Sequence, residues 1–278
     1  MMSDTDTKAL CDRRLARWRQ TSETRIPDPD AAARLIARVG VATLYPVSPE
    51  LPNLFHAYVG DPDRGTDSGW DTPSGEVYAW RWALGRQEAA FYTAIVRGRP
   101  TWVYWDLLPA VIRLCGELRM PDELYDVGAI SGDAYRVAQA LEESGGVLGT
   151  GELRKRAGFP TGKEQRAAYL RAVHELDTRL LLAKVFDEND EDMRHALVRE
   201  RYPRHVAAAE ALTREEALDL LLAAYLPHAV YAAPTPLAKV LKIPEAELRA
   251  GLERAVAGGT AVAVTLPGNK GLCYVWRE

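Results

Sequence analysis

The chain is short of the residues that announce several common chemistries. Its three cysteines, Cys11, Cys115 and Cys273, lie far apart with no CxxC pair. That usage fits a reducing compartment and excludes a zinc ribbon or a disulfide framework. The five histidines, His56, His174, His195, His205 and His228, show no paired ligand spacing, so no metal site is expected. The acidic run at 187–192 (DENDED) lacks the glycine of a calcium loop, and Gly145-Gly146-x-x-Gly149-x-Gly151 is too degenerate for a nucleotide loop. No cofactor is expected. No apolar run approaches the roughly 18 residues of a membrane span. The opening MMSDTDTKALCDRRLARWRQ has neither an apolar stretch nor a small-residue cleavage site, unlike a secretory signal. A cytoplasmic protein without a membrane partner is the expectation. An excess of positive charge is missing too: the net charge is −4. That balance argues against avid, sequence-blind coating of nucleic acid.

What is present is length, apolar content and an internal repeat. At 278 residues with 47% apolar side chains, the chain suits two or three compact units, each with a real core. The second half reads as one unit written twice. The first copy starts with a helix over 131–143 and runs through GGVLGTGELRKRAGFPTGKEQRAAYLRAVHELDTRLLLAKVF to Phe186. The second starts with a helix over 213–232 and runs through PTPLAKVLKIPEAELRAGLERAVAGGTAVAVTLPGNKGLCYVW to Trp276. Each gives a helix, a short helix, a longer helix and then β-type sequence. The fold class read from this is mainly α with small β-wings, an α+β arrangement of tandem winged-helix units.

Within the first copy, Tyr169, Leu170, Val173 and Leu176 recur at helical spacing and are assigned to the core, which leaves Lys163, Arg166 and Arg171 outward. In the second, Leu248, Leu252 and Val256 form the apolar stripe. Pro267-Gly268-Asn269-Lys270-Gly271 marks a hairpin between strands at 260–266 and 272–277. A bridging helix over 193–212, split by Pro203, joins the copies.

The first half is less regular. Residues 1–26 read as one basic helix, stopped by Pro27 and Pro29. A helix over 31–38, capped by Asp30 and ended by Gly40, leads to β-like sequence at 41–47. Residues 60–75 (GDPDRGTDSGWDTPSG) read as a surface loop. The pattern at 86–97 is helical, 100–105 is β-like and 107–114 is helical, which together suggest a third, divergent winged helix. The organisation is then a basic helix at 1–26, an aromatic-rich domain at 27–117, a winged helix at 118–187, the bridging helix at 188–212 and a C-terminal winged helix at 213–278.

Two stretches carry a family resemblance. The segment Val39-Gly40-Val41-Ala42-Thr43-Leu44-Tyr45-Pro46-Val47 resembles one in the AlkZ-like (YcaQ-like) winged-helix DNA glycosylases. The run WRWALGRQEAAFYTAIVRGRPTWVYWDLLP, at 80–109, resembles that of an AlkZ-related branch. The resemblance covers the chain from about Asp30 onward. It implies DNA as partner and excision of alkylated or crosslinked bases as chemistry. The family's catalytic motif is a glutamine, an apolar residue, then glutamine or aspartate. Its two polar positions correspond here to Thr43 and Tyr45, around Leu44. Base excision needs an oriented water and charge stabilisation for an oxocarbenium-like state. Neither replacement carries a negative charge at neutral pH, so the family's activity does not transfer, and the catalytic residues are unknown. A shifted site could use Asp71 or Glu76, although no pattern in the sequence singles them out, and glycosylase activity stays an open reading.

Residues 150–186 hold eight Lys or Arg against four Asp or Glu, whereas 213–278 balance seven against seven. The basic set Arg154, Lys155, Arg156, Lys163, Arg166 and Arg171 is therefore the candidate nucleic-acid face, with Lys270 at the C-terminal hairpin tip. A solvated helix surface would use the same residues. Five of the seven tryptophans lie between positions 70 and 105. They suit either core packing or, with Arg81, Arg97 and Arg99, stacking on unpaired bases. The sequence reads best as a protein that binds double-stranded DNA, including damaged or distorted DNA. Two readings stay open beside it: a non-catalytic regulatory DNA binder, and a scaffold docking a protein partner through the C-terminal winged helix.

Overall fold

The computed structural model describes residues 4–187, 193–269 and 271–277. After an N-terminal helix α1 (Asp4–Arg17), one order of elements occurs three times. The first unit is α2 (Pro29–Val39), β1 (Val41–Thr43), α3 (Leu54–Val59), α4 (Pro73–Arg86), β2 (Phe91–Val96) and β3 (Arg99–Val103). Helices α5 (Leu108–Cys115) and α6 (Pro121–Asp126) lead to the second. It comprises α7 (Gly132–Ser144), β4 (Leu148–Gly149), α8 (Thr150–Arg156), α9 (Lys163–Asp177), β5 (Leu182–Val185) and β6 (Arg194–Leu197). Helices α10 (Val198–Arg201) and α11 (Pro203–Ala211) precede the third unit. That unit is α12 (Arg214–Ala229), β7 (Tyr231–Ala232), α13 (Pro234–Leu241), α14 (Glu245–Ala257), β8 (Ala261–Thr265) and β9 (Leu272–Trp276). In each unit the last strand lies in the middle of a three-stranded antiparallel sheet: β1-β3-β2, β4-β6-β5 and β7-β9-β8. Helix, strand, helix, helix, strand, strand with this pairing is the winged-helix arrangement.

Several local expectations need correction. The basic helix ends at Arg17, not near residue 26, because Trp18 (2% exposed) turns into the core and Arg19 takes a positive φ of 62°. The helix expected at 86–97 is instead strand β2 after an earlier helix. Thr72 caps α4 by accepting from Gly75 N, with Pro73 in its first turn. The aromatic and β-branched run Phe91–Val96 then pairs with β3. The bridging helix does not begin at Met193. Arg194–Leu197 is the central strand of the second unit, paired with both β4 and β5, so that unit extends past residue 187. The helix expected over 213–232 stops at Ala229, where Val230 takes φ 68° and lets Tyr231 and Ala232 pair with β9.

The first and third units share one core. Leu35 and Ile36 of α2, Leu108 and Ile112 of α5, and Leu218 and Leu222 of α12 belong to a single buried cluster that extends to Leu248 of α14. The second unit has its own core, with Leu141, Leu153, Tyr169, Leu176 and Leu182. Its docking on the first includes the following contacts. Phe186 sits against the backbone of Gly85, where a Cβ would fall 2.2 Å from the Phe186 ring. Asp177 Oδ1 accepts from Ala94 N of edge strand β2 at 3.1 Å, and Thr93 donates to the Asp177 carbonyl at 3.1 Å. Among the described residues, no helix is long and apolar enough to cross a membrane.

Candidate nucleic-acid interface

Helix α9 buries Tyr169, Ala172, Val173, Leu176 and Asp177. Its other face turns Lys163, Arg166, Ala167, Leu170, Arg171 and His174 to solvent. Leu170 is 49% exposed, against the expectation that it joins the core. It lies three and four residues from Ala167 and Arg166, one helical turn along the outer face, while Tyr169 and Val173 fill the inner one.

The six basic candidates in this unit divide by what they touch. Arg154 donates to the carbonyl of Pro160 at 2.5 Å and so holds the turn between α8 and α9. Arg156 pairs with Glu152 at 2.6 Å. Lys155, Lys163, Arg166 and Arg171 are exposed, with no hydrogen-bond or ion-pair partner among the described residues. The equivalent helix of the third unit is the opposite case. Arg249 of α14 pairs with Glu245 at 2.7 Å, and Arg254 pairs with Asp219 at 2.7 Å and Glu215 at 3.3 Å. Lys270 lies outside the described residues.

The β2–β3 hairpin of the first unit lies beside α9. Its turn residue Gly98 has φ 70° and leaves no room for a Cβ, which would sit 2.8 Å from His174 Nε2. Arg97 and Arg99 flank this turn and are exposed. Arg99 and Pro100 also line a cleft of about 500 Å³ with Tyr45, Pro46, Val47, Thr66, Asp67 and Ser74. The hairpin thus touches α9 through Gly98 and the cleft through Arg99 and Pro100.

Of the two motif positions, only Tyr45 lines that cleft. Thr43 is fully buried, and its hydroxyl donates to the Tyr45 carbonyl at 2.7 Å. Tyr45 lines the cleft, and its phenol donates to the Ser74 carbonyl at 2.8 Å. Burial pushes the Tyr45 phenol above its ordinary pKa, with the Arg81 charge opposing. Neither hydroxyl has an ionised form to offer at neutral pH.

The sequence of residues 26–242 matches the family model described as AlkZ related. The chain belongs to the AlkZ-related family. Its fold is similar to that of Streptomyces sahachiroi DNA glycosylase AlkZ, with a TM-score of 0.60 over 99% of this chain and 70% of that one, at 14% identity. No curated protein matches the chain.

In this AlkZ-related fold, sequence reasoning missed the carboxylate that does line the cleft. Asp67 is there, ion-paired with Arg64 at 3.3 Å. Asp71 and Glu76 are absent from the lining, and Glu76 accepts the Trp80 indole N–H at 2.9 Å. The only signal for Asp67 was its place in the 60–75 surface loop, since loops often carry function. The aromatic block divides as well. Trp80, Phe91, Tyr92 and Trp102 are buried, Trp82 and Trp105 are half-buried, and Trp70 is 73% exposed.

The loop that borders the cleft is tied down by a neutral histidine. His56 Nε2 donates to the Arg64 carbonyl at 3.1 Å, which leaves Nδ1 to accept from Asn53 Nδ2 at 3.1 Å. Burial holds the His56 pKa below its ordinary value, and burial does the same for His205 and His228. A histidine lowered in the folded state is protonated first in the unfolded chain as pH falls through about 6.5. Stability is therefore expected to fall with acidification across that window. Thermal unfolding at pH 7.5 and 5.5 checks this. The Tm should drop at the lower pH, and the drop should be smaller in His56→Gln. An equal drop in the variant removes His56 from the account.

Proposed function

We propose that this protein binds double-stranded DNA, including damaged or distorted DNA, along the outer face of α9 and the adjoining β2–β3 hairpin. The observation that carries the reading is the contrast between two equivalent helices. The cations Lys163, Arg166 and Arg171 of α9 have no partner among the described residues, while Arg249 and Arg254 of α14 are paired within the fold. Unpaired Lys and Arg on an exposed helix can displace counterions from phosphates, whereas paired ones are already neutralised. The membership in the AlkZ-related family and the fold shared with a DNA glycosylase support DNA as the partner.

Base excision is not part of the reading. Thr43 and Tyr45 bring hydroxyls that are committed to backbone carbonyls, and glycosidic cleavage needs an oriented water and negative charge near the sugar. Recognition without cleavage is what the site supports.

The test is fluorescence anisotropy of two labelled duplexes, one undamaged and one with a central abasic analogue, at low and physiological salt. Lys163→Ala with Arg166→Ala should weaken binding to both on the order of tenfold at low salt. It should also flatten the slope of log K against log salt by about 1.8, roughly 0.9 for each lost phosphate contact. No binding by the unaltered chain at low salt overturns the reading. Release of free base from a lesion-bearing duplex, abolished by Asp67→Asn, would restore catalysis to the account.

A further inference from the structure

We propose that Trp70 is a stacking wedge, whose indole enters the base stack of distorted or abasic DNA next to the Tyr45–Asp67–Arg99 cleft. The inference rests on the DNA-binding reading above. Tryptophan is ordinarily among the more buried residues, and Trp18, Trp80 and Trp102 of this chain are no more than 2% exposed. Trp70, at 73%, is the most exposed large apolar side chain among the described residues.

Its backbone is nonetheless held. Thr72 Oγ1 donates to the Gly69 carbonyl at 2.8 Å while accepting from Gly75 N at 3.2 Å. Gly75 lets the chain lie directly on the first turn of α4, since a Cβ there would come within 2.3 Å of the Trp70 carbonyl oxygen. The base of the loop is closed by Asp67 N donating to Ser74 Oγ at 2.9 Å. An exposed ring on a fixed backbone loses little further freedom on inserting between bases.

The ring is backed by a ladder. Its edge meets Tyr78 at 5.6 Å between centroids, and the Arg81 guanidinium lies 3.4 Å from the Tyr78 ring centroid on the same helix. Arg81 Nε has no hydrogen-bond partner among the described residues. Both ends of the loop that carries Trp70 line the cleft, through Thr66 and Asp67 on one side and Ser74 on the other. The loop that carries the ring therefore borders the cleft, and the proposal puts the gap left by a displaced nucleotide beside it. Stacking on an aromatic face is tolerant of sequence, and apolar wedges enter most easily where the stack is already weakened.

The loop carries Asp61, Asp63, Asp67 and Asp71 against Arg64. It adds no attraction for phosphate, so the contact it offers is to the faces of bases. That separates this site from α9. Loss of Trp70 should lower affinity for a distorted duplex without changing the salt dependence.

The experiment uses the full chain with Trp70→Ala and Trp70→Phe, on an undamaged duplex and on one with an abasic analogue beside 2-aminopurine. Trp70→Ala is expected to bind the abasic duplex about tenfold more weakly, the undamaged duplex as before, and both with the original salt slope. The unaltered chain should quench 2-aminopurine, Trp70→Phe should retain most of the quenching, and Trp70→Ala should lose it. If Trp70→Ala matches the unaltered chain on the abasic duplex, or weakens both duplexes equally, the wedge is wrong and DNA binding stands. If the unaltered chain binds neither duplex at low salt, the DNA reading itself fails and the wedge with it.

Discussion

Replacing Arg14 by alanine is expected to cost about 3–5 kcal/mol of stability, the range for breaking a buried ion pair from one side. Arg14 is 4% exposed, although the sequence marks its helix only as basic. Its guanidinium donates to the carbonyls of Ala229 at 2.7 Å, Pro49 at 3.1 Å and Tyr231, and it lies 3.6 Å from the Tyr231 ring centroid. Glu50, 6% exposed, sits 3.6 Å away, and the Tyr225 phenol donates to its backbone carbonyl at 2.8 Å. One side chain thus joins α1, the 49–53 segment and the junction between α12 and β7. Burial pushes the Glu50 carboxyl up in pKa, and Arg14 is the main force opposing that. Without Arg14, three carbonyls lose a donor and Glu50 is left to take up a proton in the folded state. Three features check this by urea unfolding. The loss should be large, it should be smaller at low pH where Glu50 is neutral, and Glu50→Gln should recover part of it. Arg14→Lys should not restore stability, because an ammonium cannot span three carbonyls in a planar fork. A loss below about 1 kcal/mol would show the network to be incidental.

Asp177→Ala is the second large effect, at about 3 kcal/mol, and it acts on the joint between the first two units. Asp177 is 2% exposed at the C-terminal end of α9. One carboxylate oxygen accepts from Ala94 N on edge strand β2, and the other receives the Lys184 ammonium, whose side chain is only 15% exposed. Removing the carboxylate leaves a buried backbone N–H without its acceptor and a mostly buried cation with only the Tyr92 ring, 4.7 Å from the ammonium, to face it. Asp177→Asn keeps an acceptor for Ala94 but loses the charge, so it should fall between the two. Hydrogen exchange should show faster exchange at 93–96 in Asp177→Ala, ahead of global unfolding. DNA affinity should fall as well, although Asp177 touches no proposed DNA contact, because the carboxylate sets how α9 sits against the hairpin. Unchanged exchange at 93–96 would mean that the remaining contacts, with Phe186 on Gly85, Trp82 and Trp102 among them, are sufficient to hold the units together.

The proposed interface shows how differently its parts could be read in advance. The outward placement of Lys163, Arg166 and Arg171 followed from the 3.6-residue period. Their lack of partners among the described residues did not, because pairing depends on which acids come near in space. Arg254 is neutralised by Asp219, 35 positions away. The same limit applies to the aromatic block. Composition marks Trp70 and Trp102 alike, yet one is 73% exposed and the other fully buried.

By itself the sequence determined the features that arise within a few residues. Amphipathic periodicity placed α9 and α14, Pro and Gly marked the β8–β9 hairpin, and residues 39–47 with 80–109 carried the family resemblance. The tertiary structure alone decided whatever needs a distant partner. Arg194–Leu197 is a strand because β4 and β5 flank it, since ladder hydrogen bonds link segments far apart in sequence. Phe91–Val96 is a strand rather than a helix because β3 pairs with it. Arg14 is buried because the end of α12 and the 49–53 segment close over it, a long-range meeting that supplies carbonyl acceptors no local pattern records.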